Sequence, residues 1–107
     1  GDWTREKVLS IVLDTLREMK FAEKDLARVQ WMVGDCPLAV DFDPREGHGE
    51  HFFPVFEGMS EEDISDKVRA WVNDLLSLWK KGEPLSVYEK RMAEKFPVTY
   101  RVFMVLN

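Results

Sequence analysis

The apolar positions of this chain recur most densely in residues 60–82, and their spacing predicts the central helix of the fold. Ser60 and Asp63 stand at the spacing of an N-terminal capping box, with Asp where Glu or Gln is preferred. Gly82 can end the helix in a left-handed turn, and Pro84 cannot continue it. The stripe at helical spacing consists of Ile64, Val68, Trp71, Val72, Leu75, Leu76 and Trp79. We expect this helix to be the spine of the core.

A first helix is predicted over residues 4–19, because apolar side chains recur there at the same spacing. Thr4 is a suitable N-cap, and Trp3 precedes it at the position of a hydrophobic staple against Val8. The apolar stripe consists of Val8, Leu9, Val12, Leu13, Leu16 and Met19.

A last helix is predicted to open at Ser86, which forms a capping-box pair with Glu89. Pro97 should end it, because the residue before a proline is pushed out of helical geometry. The side chains expected to face inward are Val87, Tyr88, Met92 and Phe96.

Residues 26–43 fit two interpretations. Leu26, Val29 and Val33 fit a helical stripe that ends at Gly34. The alternation of apolar residues on both sides of Gly34 and Asp35 equally fits a β-hairpin, and we favour the hairpin. The alternating residues are Val29, Trp31 and Val33 on one side, and Leu38, Val40 and Phe42 on the other.

Two further strands complete the predicted sheet. Residues 51–56, HFFPVF, form a short strand that Pro54 confines to an edge or a bulge. Residues 98–106 are β-branched and aromatic without Gly or Pro, which is typical of a central strand. Trp71 and Trp79 of the spine helix should pack on it. We therefore predict one α+β domain over residues 1–107, a two-layer fold of about four antiparallel strands and three helices in the order α-β-β-β-α-α-β.

Net charge, the length of apolar runs and the cysteine count limit the classes of function that the chain can have. The 107 residues carry a net charge of −5, which argues against a general nucleic-acid binder. No apolar run approaches the length of a membrane span, so we expect no membrane partner. The single cysteine, Cys36, excludes an internal disulfide and is compatible with the cytoplasm. Residues 41–66 hold nine acidic residues against one arginine, whereas residues 80–101 hold six basic and three acidic residues.

The candidate chemistry is confined to one polar segment. His48, Glu50 and His51, with Asp43 nearby, are ligand types that suit zinc or another divalent ion. Their spacing matches no metal motif, and two exposed histidines in a loop explain the pattern equally well. Cys36 lacks a neighbouring cation or helix N-terminus that would lower the pKa of its thiol. The sequence thus predicts no enzyme and no cofactor.

The acidic segment and its aromatic residues favour a protein-binding role. Acidic side chains around a hydrophobic centre are typical of an interface for a basic partner. We predict a small acidic, non-enzymatic protein-interaction domain of the adaptor, inhibitor or chaperone type, with a homodimer as a further option. The alternative is a metal-binding module or metal-dependent hydrolase that uses the Asp41–His51 loop. The predicted partner-binding residues are Asp43, Glu46, Glu50, Phe52, Phe53, Phe56, Glu57, Glu61 and Glu62.

Overall fold

The computed structural model describes residues 3–34 and 52–95. Helix makes up 77% of these residues, and no strand occurs among them. The predicted α+β fold with a four-stranded sheet is therefore wrong for the described parts of the chain. The elements are helix α1 (Arg5–Glu18), helix α2 (Glu23–Gly34), a 3-10 helix (Phe53–Phe56), helix α3 (Glu61–Leu78) and helix α4 (Leu85–Lys95).

Helices α1 and α3 form the central pair of the fold, and they run parallel. Three contacts follow one another in the same order along both helices. Lys7 Nζ lies 3.4 Å from Glu61, Thr15 Oγ1 lies 3.0 Å from Ser65 Oγ, and Arg69 donates to Glu18 at 2.9 Å. The core around this pair consists of Val8, Val12, Leu16, Leu26, Val29, Val33, Phe52, Phe53, Phe56, Ile64, Val68, Trp71, Val72 and Leu75.

The N-terminal caps of α1 and α3 are confirmed. Thr4 Oγ1 accepts a hydrogen bond from the backbone of Lys7, and Ser60 Oγ accepts one from the backbone of Asp63, each at 3.1 Å. Each cap satisfies one backbone N–H that the first helical turn leaves free. The predicted stripe of α1 is also confirmed, since its members are buried or packed against the core.

The end of α1 shows why the chain turns back into α2. The backbone N–H of Phe21 donates to Leu16 O, and that of Lys20 donates to Arg17 O. These two bonds form a Schellman motif, which satisfies carbonyls that the last helical turn leaves free. Lys20 takes the left-handed position, with φ of 72°, although glycine adopts that conformation more easily.

The predicted hairpin is wrong in its first half, because residues 23–34 form α2. Leu26, Val29 and Val33 are buried, whereas Trp31 is 52% exposed on the outer surface of the helix. Burial thus follows the helical spacing and not the alternation. The second half of the hairpin lies outside the described residues.

In the predicted strand at residues 51–56, residues 53–56 form a 3-10 helix instead, and residue 51 lies outside the described residues. Pro54 lies in its first turn, where the missing backbone N–H costs no hydrogen bond. Phe52, Phe53 and Phe56 all point into the core, at 0%, 5% and 0% exposure. The rings of Phe52 and Phe56 lie 5.2 Å apart, and Phe56 lies 5.3 Å from the Trp71 ring at an angle that is typical of edge-to-face packing.

The spine helix ends earlier than its stripe predicts. Its last residue is Leu78, and Trp79 already has extended backbone angles of −73° and 130°. Trp71 is buried as expected, but Leu76 and Trp79 are more than half exposed. Val72 and Leu75 in the last turns of α3 are still buried, so the exposure is limited to the side of the helix that carries Leu76 and to Trp79 beyond its end. The predicted strand at 98–106 lies outside the described residues.

Helix α4 is confirmed as a helix, but its capping box is not. The helix begins at Leu85, so Ser86 lies inside it and cannot be its N-cap. The backbone N–H of Val87 donates to Pro84 O, which shows that the first turn starts at the proline. Tyr88 packs against the core, whereas Val87 is exposed.

Candidate functional site

A cleft of about 340 Å³ opens where the N-terminal ends of α1 and α3 meet. We call it the N-terminal cleft. Its apolar lining comes from both helices and from the turn before α3, and its polar lining includes both N-cap residues. The side chains that define it are Trp3, Lys7, Val8, Ile11, Met59 and Glu61.

Trp3 is held at the edge of this cleft by a single hydrogen bond. Its indole Nε1 donates to the backbone oxygen of Phe56 at 3.1 Å, and the side chain stays 37% exposed. The bond connects the start of the described chain to the 3-10 helix, which lies 53 residues further on. Trp3 therefore presents an apolar ring to solvent from a defined position.

The charged side chains that line the cleft are Lys7 and Glu61, and two further carboxylates adjoin the lining in sequence. Lys7 and Glu61 form an exposed ion pair at its mouth, with 49% and 68% of the two side chains accessible. Glu57 and Glu62 are exposed immediately before and after the lining residues 58–61. Glu61 and Glu62 also lie in the first turn of α3, where the helix dipole stabilises negative charge.

The opposite end of α3 is built in a different way. The last four carbonyls of a helix lack partners within the helix. Tyr88 Oη donates to Leu75 O at 3.3 Å, and Arg91 Nη1 donates to Leu78 O at 3.1 Å. Helix α4 thus binds to α3 in large part by capping the free carbonyls at the C-terminal end of α3.

Glu83 fixes the Arg91 side chain in this capping position. The guanidinium donates to both oxygens of the carboxylate, at 2.5 Å and 2.6 Å. These hydrogen bonds lower the pKa of Glu83 and raise the pKa of Arg91. Burial raises the pKa of Tyr88, whose hydroxyl remains a hydrogen-bond donor.

Four apolar side chains at this end of α3 and in the following α4 are exposed. We call this region the elbow surface, and it consists of Leu76, Trp79, Leu85 and Val87 together with the exposed Lys80 and Lys81. The Trp79 ring lies edge-on to Tyr88, with ring centres 5.4 Å apart. Trp79 nevertheless remains 51% exposed. The turn 79–82 therefore carries an aromatic side chain and two cations at the surface.

The structure separates the predicted partner-binding residues into three groups. Phe52, Phe53 and Phe56 lie in the core and do not form the exposed apolar centre that we expected. Glu57, Glu61 and Glu62 are exposed beside the N-terminal cleft, and their binding role stays a prediction. Asp43, Glu46 and Glu50 lie outside the described residues.

The apolar residues of the N-terminal cleft were missing from the sequence prediction. Trp3 and Met59 each precede a helix N-cap, and Trp3 was considered only for its local structure, as a staple against Val8. The missing signal was the parallel packing of α1 on α3, which brings the two caps together. Neither local spacing nor composition indicates that long-range contact.

The predicted metal site cannot be located in this structure. Its residues, Asp43, His48, Glu50 and His51, all lie outside the described ranges, as do Asp41 and Cys36. Within residues 3–34 and 52–95 no group of three metal-binding side chains comes together. Among those same residues, no helix is both long and apolar enough to cross a membrane.

Comparison with known proteins identifies no relative. No protein-family model matches the chain, and no curated protein or solved structure matches it significantly.

Proposed function

We propose that this domain binds a protein partner through the N-terminal cleft, as a non-enzymatic adaptor or inhibitor module of the cytoplasm. The observation that carries the proposal is an open apolar cleft that is flanked by exposed carboxylates. Trp3 and Met59 provide the apolar surface, and Glu57 and Glu62 provide the charge. In this proposal Trp3 and Met59, which solvent reaches, replace the buried phenylalanines as the apolar centre of the binding site.

The chemistry of the cleft suggests the chemistry of its partner. Its volume of about 340 Å³ is near the lower end of ligand pockets, which favours one or two inserted side chains. The flanking carboxylates favour an approach by lysine or arginine, and such charges raise association rates more than affinity. The expected partner therefore presents an aromatic or large aliphatic side chain next to basic residues.

The indole N–H of Trp3 provides a direct measure of binding. Its NMR resonance reports on the hydrogen bond to Phe56 O at the edge of the cleft. We expect it to shift on titration with a synthetic peptide in which tryptophan is flanked by lysines. A peptide of the same length with glutamates in place of the lysines should bind more weakly.

Two variants test whether the cleft is the binding site. Glu57→Lys combined with Glu62→Lys should weaken binding of the basic peptide, and salt should have less effect on the remaining affinity. Glu94→Lys, an exposed charge reversal on α4, is the matched control and should change little. Equal binding of both peptides, or an unmoved Trp3 resonance, would contradict the proposal.

A further inference from the structure

The elbow surface has the chemistry that the N-terminal cleft is expected to bind. Leu76, Trp79 and Leu85 are 56%, 51% and 61% exposed, so an apolar centre stands free at this end of the fold. Lys80 and Lys81 lie between them along the chain and are exposed. An apolar centre with basic neighbours complements an apolar cleft with acidic neighbours.

The two surfaces cannot meet within one molecule. The cleft lies at the first turn of α3 and the elbow surface follows its last turn. With 18 residues, α3 spans about 27 Å between them. A helix of this length is rigid, so contact between the two surfaces requires two copies of the chain.

We propose that the domain associates head to tail, with the elbow surface of one copy docked in the N-terminal cleft of the next. The indole of Trp79 enters the cleft, and Lys80 and Lys81 face Glu57 and Glu62 of the neighbouring copy. This inference rests on the proposed function of the cleft and names its partner as a second copy of this chain. A contact between two different surfaces of the same chain leads to a ring or an open filament.

The position of Trp79 favours it as the inserted side chain. The ring is fixed edge-on against Tyr88, so less conformational freedom is lost on docking than for a free side chain. Aromatic anchors in central pockets are the usual source of binding energy at interfaces. The exposed half of the indole would become buried against Trp3 and Met59.

The charges favour this contact over a symmetric dimer. A symmetric elbow-to-elbow contact would bring Lys80 and Lys81 of both copies together, and a cleft-to-cleft contact would bring their carboxylates together. Like charges that face each other across an interface oppose association. Only the head-to-tail contact pairs opposite charges.

Sedimentation velocity of the full chain tests the proposal, at concentrations up to about 1 mM because weak contacts form in this range. We expect the average mass to rise with concentration above the 12.6 kDa of one chain. The rise should diminish in high salt, since the charges beside the contact are exposed.

Two complementary variants define the geometry of the contact. Trp79→Asp disables the elbow surface, and Glu57→Lys with Glu62→Lys disables the cleft. Each variant alone should remain monomeric, because each retains one half of the contact. An equal mixture should form a dimer of one copy of each and grow no further. Lys80→Glu with Lys81→Glu provides a second elbow variant at exposed turn positions, and circular dichroism confirms that every variant is folded.

Three results of these sedimentation experiments would contradict the head-to-tail contact. A wild-type chain that stays monomeric over the whole range would overturn the proposal. Association that survives either variant, or a mixture that stays monomeric, would overturn it as well. If the Trp3 resonance still shifts with the basic peptide in those cases, the cleft binds a different partner and the proposed function stands.

Discussion

The two ends of α3 are stabilised by different forces. Its apolar stripe from Ile64 to Leu75 is buried in the core, where Trp71 packs against Phe56 of the 3-10 helix. Its C-terminal end is joined to α4 by hydrogen bonds from Tyr88 and Arg91 to free carbonyls. Burial stabilises the folded state in proportion to the apolar area that is removed from water. Capping satisfies polar backbone groups and removes little apolar area from water.

This difference explains where apolar surface remains. Along α3 the apolar stripe from Ile64 to Leu75 is buried, and the N-terminal cleft opens beside the first turn of the helix. At the C-terminal end, α4 satisfies the carbonyls without covering Leu76 or Trp79. The capped end therefore keeps its apolar residues available for a further contact.

The largest predicted effect on the free energy of unfolding comes from a substitution in the buried core. Phe56→Ala removes a fully buried ring that packs against Phe52 and Trp71, and it leaves a cavity in the core. We expect it to lower the free energy of unfolding by about 3–5 kcal/mol, as is typical of such truncations. Urea denaturation followed by circular dichroism measures this change. A loss below about 1 kcal/mol would show that the core differs from the one described here.

An intermediate effect is predicted for the N-cap of α3. Ser60→Ala removes the acceptor for the Asp63 backbone N–H and should lower the free energy of unfolding by about 1 kcal/mol. Ser77→Ala is the matched control at the other end of α3. There the hydroxyl donates to Asp74 O and caps no free N–H, so we expect a change within about 0.5 kcal/mol. Equal losses in the same denaturation assay would contradict the capping role.

A smaller effect on stability is predicted for Trp79→Ala. The ring is half exposed and its aromatic contact is with Tyr88, so the free energy of unfolding should fall by about 1 kcal/mol or less. Compared with Phe56→Ala, this truncation tests the difference between the two ends directly. If the two truncations cost the same in urea denaturation, the contrast between the buried and the capped end does not hold.

The smallest and most local effect concerns Glu83. Arg91 lowers the pKa of this carboxyl in the folded state, so the carboxylate stabilises the fold above the ordinary glutamate range. That stabilisation is lost as the pH falls through the lowered pKa. Hydrogen exchange of the α4 amides should therefore become faster, relative to its intrinsic rate, on acidification.

A conservative substitution separates this effect from general acid denaturation. Glu83→Gln should remove the additional acid-induced step in α4, because the amide has no charge to lose. Glu94→Gln, an exposed substitution on the same helix, should retain it. A step that persists in Glu83→Gln would have another origin.

The helices that could be predicted from the sequence are those with local signals at both ends. Thr4 and Ser60 mark the starts of α1 and α3, and the apolar stripes between cap and stop left little ambiguity. Helix α4 was predicted from a capping box at Ser86, and the helix is present although Ser86 lies inside it and is not its N-cap. These signals depend on neighbours in sequence, which is why they can be recognised without the fold.

The errors arose where two periodicities coincide. Val29 and Val33 lie four residues apart, a spacing that fits a helix face and an alternating strand equally well. Trp31 completes the alternation with them, yet it lies on the exposed side of α2. Likewise Phe52 and Phe56 lie four apart and Phe53 three before Phe56, so helical spacing was present in HFFPVF. The proline was interpreted as a strand-edge residue rather than as the start of a helical turn.

Of the candidate site, only the acidic residues could be predicted from the sequence. The exposed positions of Glu57, Glu61 and Glu62 follow from an acidic stretch at a helix start. The cleft itself depends on the packing of α1 against α3, which no local pattern indicates. Trp79 was expected in the core because the apolar stripe continues to it, but the helix ends at Leu78 and the ring is 51% exposed.

The parallel arrangement of α1 and α3 also has a consequence for the order of folding. Thr15 and Ser65 are 50 residues apart in the chain, and Glu18 and Arg69 are 51 apart. The contacts of Tyr88 and Arg91 with α3 each span only 13 residues. Closing the longer loop costs more chain entropy, and contacts between distant residues slow the search for the native state. We expect the α3–α4 corner to form early and the central helix pair to assemble in the later, rate-limiting step.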